Sequence, residues 1–422
     1  MRQGTVILIG SLETGGAQRV AIWLLEEHLR AGLDCRLIAV DCTMDMVSAG
    51  SPEAVGRHIH CLGGLQVTAP TLAKWLSAPL AWLRLQILLL RLRPVRLISF
   101  MERANILSLL TVVPVRRVLS VRSHPDLIAG KAAGKRIGIA LAYRFLLRRA
   151  HRLVFNSAEA AQAFRRRYPV GEGITRIIAN PLNDAALFGG GASPPARQED
   201  GAATIVAVGR LKPEKGHWQL LRAFADVRRR LPDLNPTLVI LGDGPLRRPL
   251  QELAEALGIG PSLRLPGFTP TPAQWLQQAD IFVLPSIWEG FPNALLEAMA
   301  MGCAVVAADC RSGPREILAP DTDPEVKTAT VETTRFGMLT PPLTLEALPA
   351  AAPLTAGERG LAEAMARLLR DDDLRRRLRN GAAERATRYD RAAIFAAWQE
   401  LDGGPTASLP DGPRSLRSQP GR

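Results

Sequence analysis

The sequence predicts an α/β protein built from two Rossmann-like, doubly wound domains. Three observations support this: 422 residues exceed one ordinary domain, short apolar runs alternate with helical patterns, and the alternation restarts after a Gly- and Pro-rich stretch. Such alternation is typical of βαβ units and therefore of parallel sheets. Ligands of doubly wound sheets bind beyond the carboxyl ends of the strands, so the chemistry is expected in the loops that follow them.

Residues 1–185 are predicted to form the N-terminal domain, followed by a linker at 186–202. The predicted strands of this domain are Thr5–Ile9, Cys35–Val40, Leu97–Phe100, Val118–Ser123 and Leu153–Ser157. Helical patterns lie at 17–30, 80–93, 104–111 and 137–150. Because the first strand begins so close to Met1, no signal peptide is expected.

Residues 203–388 are predicted to form the C-terminal domain. Its predicted strands are Thr204–Val208, Leu238–Leu241, Leu263–Leu265, Ile281–Pro285 and Ala304–Ala307. Helices are expected near 216–230, 246–257, 272–278, 292–301, 360–369 and 373–388, with an extended loop region at 319–359 and a short strand near Phe336–Leu339. A last helix at 389–402 carries Trp398, and the Pro-, Gly- and Ser-rich tail at 403–422 is expected to be disordered.

The net charge of +13 is concentrated in the N-terminal half, where residues 54–158 hold 17 Lys or Arg and two acids. This imbalance indicates an anionic partner, such as phospholipid, a lipid diphosphate, an acidic glycan or nucleic acid. An arginine-rich composition without function is the alternative. The five scattered cysteines lack a C-x-x-C pair and are expected to be reduced, buried thiols.

Two apolar segments of this half bear on membrane contact. Segment 75–92 contains Pro79, Arg84 and Arg91 and is too interrupted to span a bilayer, so the helix at 80–93 is expected to be largely buried. The helix at 137–150 has one apolar face and an arginine-rich opposite side. The pattern suits a membrane surface or an ordinary packed helix equally well.

The first strand is followed by a glycine loop containing Gly15 and Gly16. Glycines at this place let a phosphate or sugar approach the backbone. A dinucleotide dehydrogenase is the rival interpretation, because Asp41 ends the second strand where a ribose-binding acid is found. The spacing from Gly10 is Gly-x4-Gly-Gly rather than G-x-G-x-x-G, so the loop alone is a weak signal.

The second domain opens with a cationic loop, in which Gly209-Arg210 is followed by Lys215-Gly216. Arginine holds phosphate oxygens bidentately and lysine acts as a point charge. These side chains suit the stabilisation of a diphosphate leaving group. An Arg and a Lys in a loop are otherwise ordinary surface residues.

The most informative segment runs from the strand at Ile281 through Glu289 to Glu297. Pro292 suits the first turn of a helix, which is expected to leave the amides of Asn293, Ala294 and Leu295 free to bind phosphate. With Glu289 in a loop and Glu297 inside the helix, the two carboxylates are not expected to form a glycosidase pair. They are instead predicted to hydrogen-bond one nucleotide-sugar separately.

Two groups of acids resemble metal ligands but are not interpreted as a metal site. Asp321 and Asp323 lie in a loose loop, and the acids of 371–373 lie at a helix start, where negative charge is favoured electrostatically.

Together these motifs resemble the retaining glycosyltransferases of family 4, which have the GT-B fold of two Rossmann-like domains facing across a cleft. The resemblance covers roughly residues 4 to 400. Besides Glu289-x7-Glu297 and the loops at 15–16 and 209–216, the matching pieces are Ser99-Phe100-x4-Asn105, Arg122-Ser-His124-Pro, Asn156-Ser157, Asn180-Pro181 and Ser312-Gly-Pro-Arg-Glu-Ile317. Gln18 departs from the family's usual glutamate, and the loop at 319–360 is unusually long.

The resemblance implies a role for each matching residue, with an acceptor-binding N-terminal domain and a nucleotide-sugar-binding C-terminal domain. Glu289 would contact the sugar and His124 would lie near the transferring sugar. Glu297 would bind the ribose. The diphosphate would be bound by Arg210, Lys215 and the amides around Gly290, Phe291, Asn293 and Ala294. Gly15 and Gly16 would approach it when the domains close. The implied catalytic group is His124, Glu289, Arg210 and Lys215. No metal or other cofactor is implied, and the last helix is expected to cross back to the N-terminal domain.

The implied activity is retaining transfer of a hexosyl or N-acetylhexosaminyl group from a nucleotide-diphosphate sugar, such as a UDP-sugar, to an acceptor hydroxyl. The basic half favours a lipid-linked or cell-surface glycan acceptor and an enzyme in the cytoplasm, peripheral on the cytoplasmic face of the membrane. Two alternatives remain open: a nucleotide-sugar epimerase or isomerase on the same fold, and a basic membrane- or nucleic-acid-binding protein. Nucleic acid is not expected as a partner, since no aromatic-basic binding motif is present.

Overall fold

The computed structural model describes residues 4–12, 15–41, 53–62, 71–122, 124–125, 133–182 and 202–402. The predicted tail at 403–422 and, except for Ala202, the predicted linker at 186–202 lie outside the described residues. Contacts divide the chain into an N-terminal unit, residues within 1–179 together with 395–402, and a C-terminal unit, residues within 180–394. The divisions after Ala179 and Ile394 fall a few residues from the predicted boundaries.

The N-terminal unit contains a seven-stranded parallel sheet with the order β3-β2-β1-β4-β5-β6-β7. Its strands are β1 (Thr5–Ser11), β2 (Cys35–Asp41), β3 (Ile59–Cys61), β4 (Arg96–Phe100), β5 (Arg116–Val121), β6 (Arg152–Phe155) and β7 (Thr175–Ile177). Side chains of β1, β2 and β4 are almost entirely buried, as expected for parallel strands covered on both faces.

In the described part of the same unit, six helices connect these strands. They are α1 (Gly16–Arg30), α2 (Glu53–Gly56), α3 (Thr71–Leu92), α4 (Met101–Leu109), α5 (Ala133–Leu146) and α6 (Ala158–Arg167). Ser157 caps α6, since its side chain accepts a hydrogen bond from the Ala160 amide.

The C-terminal unit contains a second seven-stranded sheet with the order β10-β9-β8-β11-β12-β14-β13. Its strands are β8 (Thr204–Val208), β9 (Thr237–Leu241), β10 (Leu263–Gly267), β11 (Ile281–Leu284), β12 (Ala304–Ala308), β13 (Glu332–Thr333) and β14 (Met338–Thr340). All pairs are parallel except β13 with β14, which forms an antiparallel edge.

Between β8 and residue 402, where the described residues end, the chain forms eight helices. They are α7 (His217–Arg230), α8 (Arg247–Ala256), α9 (Ala273–Gln278), α10 (Asn293–Ala300), α11 (Pro314–Leu318), α12 (Ala356–Arg370), α13 (Asp372–Ala386) and α14 (Arg391–Gln399). A capping box between Thr355 and Glu358 begins α12. The end of α14 packs in the N-terminal unit, where the Trp398 ring stacks on Phe100 with centroids 5.9 Å apart.

The fold class predicted from the sequence is confirmed, but two predictions, about the helix at 80–93 and about Cys61, were wrong. The predicted helix at 80–93 begins at Thr71, and its outer face is exposed rather than buried. Cys61 is disulfide-bonded, whereas Cys35, Cys303 and Cys310 are free and buried as predicted.

The region at 319–359 is an extended loop with a short strand, as predicted, and two buried arginines hold it in place. Arg222 of α7 donates hydrogen bonds to the carbonyls of Ala352 and Pro353 at 3.0 and 2.9 Å and to Glu358 at 2.7 Å. Arg315 of α11 donates to Glu332 in β13 at 2.8 Å. Outside β13, β14 and the start of α12, the region lacks regular structure but is ordered by charge-assisted hydrogen bonds.

None of the described helices is long and apolar enough to cross a membrane.

Candidate active site

The cationic loop and the glutamate loop follow neighbouring strands. β8 and β11 pair in parallel, so the loops that leave their carboxyl ends lie at the same edge of the sheet. The Ile287 amide donates to the Glu214 carbonyl at 2.9 Å, which joins the two loops directly. The C-terminal unit thus brings together the predicted residues Arg210, Lys215 and Glu289 on two adjoining loops.

Glu289 is the centre of a small polar network. The Lys215 ammonium donates to Glu289 Oε1 at 2.5 Å, and the Ser286 hydroxyl donates to the same oxygen at 2.6 Å. Glu289 is 8% exposed, whereas the Lys215 side chain is 26% exposed. The lysine therefore spans from a buried carboxylate toward solvent, and its charge compensates that of the glutamate.

Glycines bring the loop backbones into close contact. Gly216 has φ +66°, and a Cβ added there would lie 1.8 Å from the Pro285 carbonyl oxygen. Gly242 has φ +141°, and a Cβ there would lie 2.0 Å from the Gly209 carbonyl oxygen. A glycine at position 242, in the turn after β9, is thus needed for the Gly209–Arg210 backbone to pack.

The helix that follows Glu289 begins differently from the prediction. Pro292 precedes α10 rather than occupying its first turn. The Asn293 amide donates to the Phe291 carbonyl at 3.0 Å, and the Leu295 amide donates to the Pro292 carbonyl at 3.0 Å. Two of the three amides predicted to be free are therefore used by the turn itself, because the chain tightens on entering the helix. Within residues 202–402, no backbone carbonyl accepts from the third, Ala294.

The start of α10 is held by neighbouring segments of the same unit. The Asn180 amide group donates to the Asn293 side-chain oxygen at 2.7 Å, and the Phe291 ring packs on Tyr389 with centroids 6.0 Å apart. Gly313, with φ +108°, packs so closely that a Cβ would lie 2.3 Å from the Pro292 ring. Together these contacts fix the turn that contains Gly290.

The remaining predicted residues of this unit differ in exposure. Arg210 is exposed at the end of β8, so its guanidinium is accessible to a ligand. Glu297 lies inside α10 and is 4% exposed, as expected for a helical position facing the protein. Glu289 lies in the loop before α10, so the two carboxylates belong to different elements, a loop and a helix.

Two buried titratable groups adjoin the network. Burial and the nearby Lys215 lower the pKa of His217 to about 3, so the ring is neutral at physiological pH. Burial, followed by the negative charge of Glu289, raises the pKa of the Cys310 thiol well above its usual value. Neither group therefore adds charge to the site.

The other predicted residues belong to the N-terminal unit. Gly15 precedes α1 and Gly16 begins it, and a Cβ on Gly15 would meet only the Gln18 side chain, at 2.5 Å. His124 is 4% exposed and follows β5. Near it, the Arg122 guanidinium lies 5.0 Å from the centre of the Phe100 ring and 5.6 Å from that of Trp398. Burial lowers the pKa of Arg122 to about 9.

The structure argues against the rival dehydrogenase interpretation, which depends on Asp41 as the ribose-binding acid. Asp41 is 5% exposed and forms an ion pair with Arg103, so its carboxylate is already engaged inside the protein. The acids considered as metal ligands have structural roles: Asp371 caps α13 and Asp323 accepts a hydrogen bond from the Glu325 amide. The described residues contain no cluster of three or more His, Cys, Asp or Glu that could hold a metal ion.

Sequence reasoning missed the residues that support Glu289. Ser286 gives no signal, because a serine after a strand is common; only its position three residues before the glutamate hints at the bond. The Asp309–Arg315 ion pair, with Nε to Oδ2 at 3.0 Å, was likewise not recognised. Asp309 also accepts from the Thr328 amide at 2.8 Å, so this pair organises the loop after α11.

Known proteins with similar sequence cover most of the chain. Residues 193–329 match the family model for glycosyl transferases group 1, a range that contains both loops and α10. An uncharacterised glycosyltransferase of Methanocaldococcus jannaschii is 31% identical over 68% of this chain and 71% of its own length. The Campylobacter jejuni N-acetylgalactosamine-N,N'-diacetylbacillosaminyl-diphospho-undecaprenol 4-alpha-N-acetylgalactosaminyltransferase is 27% identical over 92% of this chain and 96% of its own.

Among solved structures, that of Anabaena HepE with UDP and glucose is similar to this chain with a TM-score of 0.71 and 17% identity. The similarity covers 95% of this chain and 100% of that one. It supports the GT-B fold that the two doubly wound sheets indicate. With the sequence relationships, it leads to one conclusion: this chain belongs to the group 1 glycosyl transferases.

Proposed function

We propose that this protein is a retaining glycosyltransferase that moves a hexosyl or N-acetylhexosaminyl group from a nucleotide-diphosphate sugar to an acceptor hydroxyl. The acceptor would be a lipid-linked or cell-surface glycan on the cytoplasmic face of a membrane. The observation that carries the proposal is the network of Lys215, Ser286 and Glu289 beside the exposed Arg210. The lipid-linked acceptor is supported by the diphospho-undecaprenol named for the Campylobacter relative.

The network suits a donor because both of its hydrogen bonds end on the same oxygen of Glu289, Oε1. The other oxygen, Oε2, keeps its capacity to accept a sugar hydroxyl. Lys215 is held in place before any ligand binds, so less side-chain entropy is lost when it meets a diphosphate. The carboxylate and the ammonium thus have complementary tasks toward two parts of one donor.

Charge on the leaving diphosphate increases as the sugar–phosphate bond breaks. The Arg210 guanidinium and the Lys215 ammonium would stabilise that charge, and removal of one such group costs roughly a hundred- to thousandfold in rate. The leaving phosphate oxygen would accept the proton of the acceptor hydroxyl. Glu297 would bind the ribose, and Gly290, Phe291 and Ala294 would line the diphosphate. No metal is required in this scheme.

His124, Gly15 and Gly16 are proposed to act from the N-terminal unit, His124 near the transferring sugar and the glycines near the diphosphate. His124 is the residue whose role depends most on the family resemblance. Its side chain is buried, and a His124→Ala variant tests whether it nevertheless acts on the sugar. A loss of turnover with unchanged donor affinity would support the role, and unchanged turnover would exclude it.

The first test incubates the purified protein with a panel of UDP- and GDP-sugars and polyprenyl-diphosphate-linked acceptors, in buffer with and without EDTA. The expected result is transfer with retained anomeric configuration, measured by NMR of the product and insensitive to EDTA. Arg210→Ala and Glu289→Ala should abolish transfer, whereas Arg264→Ala, an exposed arginine on β10, should not. Near-normal turnover of either site variant would disprove the site assignment, and an inverted product would disprove retention.

A second candidate, a nucleotide-sugar epimerase or isomerase, is tested by the same panel. It predicts a new sugar in the absence of any acceptor.

A further inference from the structure

Helices α3 and α5 of the N-terminal unit lie on the same face of its sheet. Buried residues of α3 pack in one cluster with Leu97 of β4, and buried residues of α5 pack in another with Leu119 of β5. Leu97 pairs with Arg117, and Leu119 follows two residues later, so both leucines point to one face of the sheet. The two helices are therefore parts of one outer layer, with α4 between them.

Apart from Arg84 and Arg91, the side of α3 that faces away from the sheet is apolar. Leu80, Leu83, Ile87 and Leu90 recur at helical spacing and are between 42% and 58% exposed. The opposite side of the helix, which includes Leu85 and Leu89, is fully buried. An ordinary surface helix has the reverse pattern, with charged residues outside.

The outward side of α5 shows the same inversion. Ile137, Leu141 and Phe145 are 55%, 50% and 61% exposed, whereas Ile139 and Tyr143 on the other side are buried. We call the outward apolar residues of α3 and α5, together with Leu110 and Val112, the apolar face.

The loop after α4 connects the two halves of the apolar face. The Trp82 indole of α3 donates to the Leu110 carbonyl at 3.1 Å, and the Val112 amide donates to Gln86 Oε1 of α3 at 3.0 Å. From the other side, Arg149, just after α5, donates to the Thr111 carbonyl at 2.6 Å. Val112 is 68% exposed, so the face continues across this loop.

The exposed charges of α3, of α5 and of the turn that follows α5 have one sign. Arg84 and Arg91 of α3, Arg144 of α5 and Arg148 just after α5 are exposed, and none forms an ion pair with a described residue. The segments 71–100 and 133–150 contain no Asp or Glu at all. An occupant of this face must therefore present apolar surface at its centre and negative charge around it.

We propose that the apolar face docks onto a bilayer surface containing anionic phospholipid. Leucine, isoleucine and phenylalanine side chains would enter the region between headgroups and acyl chains, while the arginines reach lipid phosphates. A second copy of the chain fits less well, because a two-fold contact through this face would bring its own arginines together. The inference goes beyond the proposed sugar transfer, since it assigns the membrane contact to particular residues.

The test measures sedimentation of the purified protein with vesicles of phosphatidylcholine mixed three to one with phosphatidylglycerol, without sugar donor. Wild type should bind, and binding should weaken as salt is raised. The variant R84Q/R91Q/R144Q/R148Q should lose about fivefold in affinity per arginine removed. The variant L83Q/L90Q/F145Q should lose more than about tenfold, since less apolar surface is buried.

The matched control is L234Q/R264Q/L345Q, which changes two exposed leucines and one exposed arginine of the C-terminal unit and should bind like wild type. Circular dichroism checks that every variant is folded. Unchanged binding by both variants of the apolar face would overturn the proposal. A second result would also overturn it. In this case wild type would bind no vesicles but would self-associate in vesicle-free buffer, and the L83Q/L90Q/F145Q variant would abolish that self-association.

Transfer to a detergent-dissolved acceptor separates this proposal from the proposed function. Both variants of the apolar face should keep that activity within about twofold, because none of their residues lies in the proposed site. If wild type binds vesicles but transfers no sugar, only the proposed function fails. If transfer occurs but vesicle binding does not depend on these residues, only the docking surface fails.

Discussion

The two units differ in the groups that stabilise their buried arginines. In the C-terminal unit, Arg222 and Arg315 are 1% and 3% exposed and form ion pairs with buried carboxylates. In the N-terminal unit, Arg117 and Arg122 are 8% and 7% exposed. The guanidinium of Arg117 is bonded mainly to backbone carbonyls, and that of Arg122 lies against aromatic rings.

This difference shows how the positive charge of the chain is distributed. Carboxylates neutralise the buried arginines of the C-terminal unit, so that unit holds its long loop and its site by internal charge pairs. In the N-terminal unit, backbone carbonyls and the Thr111 hydroxyl solvate the Arg117 guanidinium, and these dipoles leave its net charge uncancelled. The positive potential of the N-terminal unit is therefore a property of its interior as well as of its surface.

The largest expected effect comes from breaking one pair. Arg222→Met leaves the Glu358 carboxylate buried without its cation, and loss of one partner of a buried pair costs about 3–5 kcal/mol. Arg117→Met leaves uncharged acceptors, backbone carbonyls and the Thr111 hydroxyl, without their donor and should cost about 1–3 kcal/mol. Hydrogen exchange measured by mass spectrometry, read in α7 for one variant and in β5 for the other, gives the free energy of opening for each unit separately.

Arg335→Met is the surface control for that comparison. Its pair with Glu384 is solvent-exposed, with side chains 69% and 61% accessible, and should be worth less than about 1 kcal/mol. Equal losses for Arg222→Met and Arg117→Met would show that the carboxylate partner does not distinguish the two units.

The two glycine loops also differ. Gly216→Ala combines a left-handed backbone with a clash against Pro285, and should destabilise the C-terminal unit by about 3 kcal/mol. Gly15→Ala meets only a flexible glutamine side chain, so it should cost less than about 1 kcal/mol. Urea denaturation measures both changes.

Gly258→Ala isolates the backbone contribution, because Gly258 has φ +70° but no neighbour within 4 Å of an added Cβ. Its cost should be about 1–2 kcal/mol. If Gly216→Ala costs no more than Gly258→Ala, the close approach to Pro285 is not what requires glycine. A stable Gly15→Ala variant with impaired sugar transfer would support the proposed role of Gly15 toward the donor.

The smallest effect concerns pH. The pKa of His217 is about 3 in the folded protein, against about 6.5 in an unfolded chain. Between these values the unfolded chain binds a proton that the folded protein does not, so stability falls as pH falls. At pH 5 this amounts to about 2 kcal/mol relative to pH 7, and the loss levels off below pH 3.

His217→Leu should remove that loss, measured as a smaller difference between urea unfolding at pH 7 and at pH 5. His28→Leu offers the comparison in the N-terminal unit. Burial also lowers the pKa of His28, but its hydrogen bond with the Leu24 carbonyl raises it in part, so the change should be smaller. An unchanged pH dependence in His217→Leu would show that the ring is protonated in the folded state.

Periodicity predicted the strands and helices that form the centre of each sheet, because buried parallel strands are continuous apolar runs. It missed β3, β7 and β13, which have two or three residues each and lie at or near sheet edges, where apolar pattern is weak. It also misjudged the burial of α3. Both sides of this helix carry leucines, so the sequence does not show which side is buried.

At the site, the sequence predicted which loops carry the charged residues but not how they pair. The position of Glu289 after a strand is visible in the chain, whereas its bond to Lys215 connects residues 74 positions apart. Two amides at the start of α10, those of Asn293 and Leu295, were predicted wrongly because ideal helix geometry was assumed for a turn that tightens instead. The close contacts of Gly216 and Gly242 depend on neighbouring strands and could not be anticipated.

The stack of Trp398 on Phe100 has a consequence for synthesis of the chain. The Trp398 carbonyl also accepts a hydrogen bond from Arg96, a residue 302 positions earlier. On the ribosome, β4 and β5 emerge long before this tryptophan, and the whole C-terminal unit is translated between them. The N-terminal unit therefore acquires Trp398 and Leu401 of its core only after residues 180–394 of the C-terminal unit have been translated, which makes it the later of the two to complete its core.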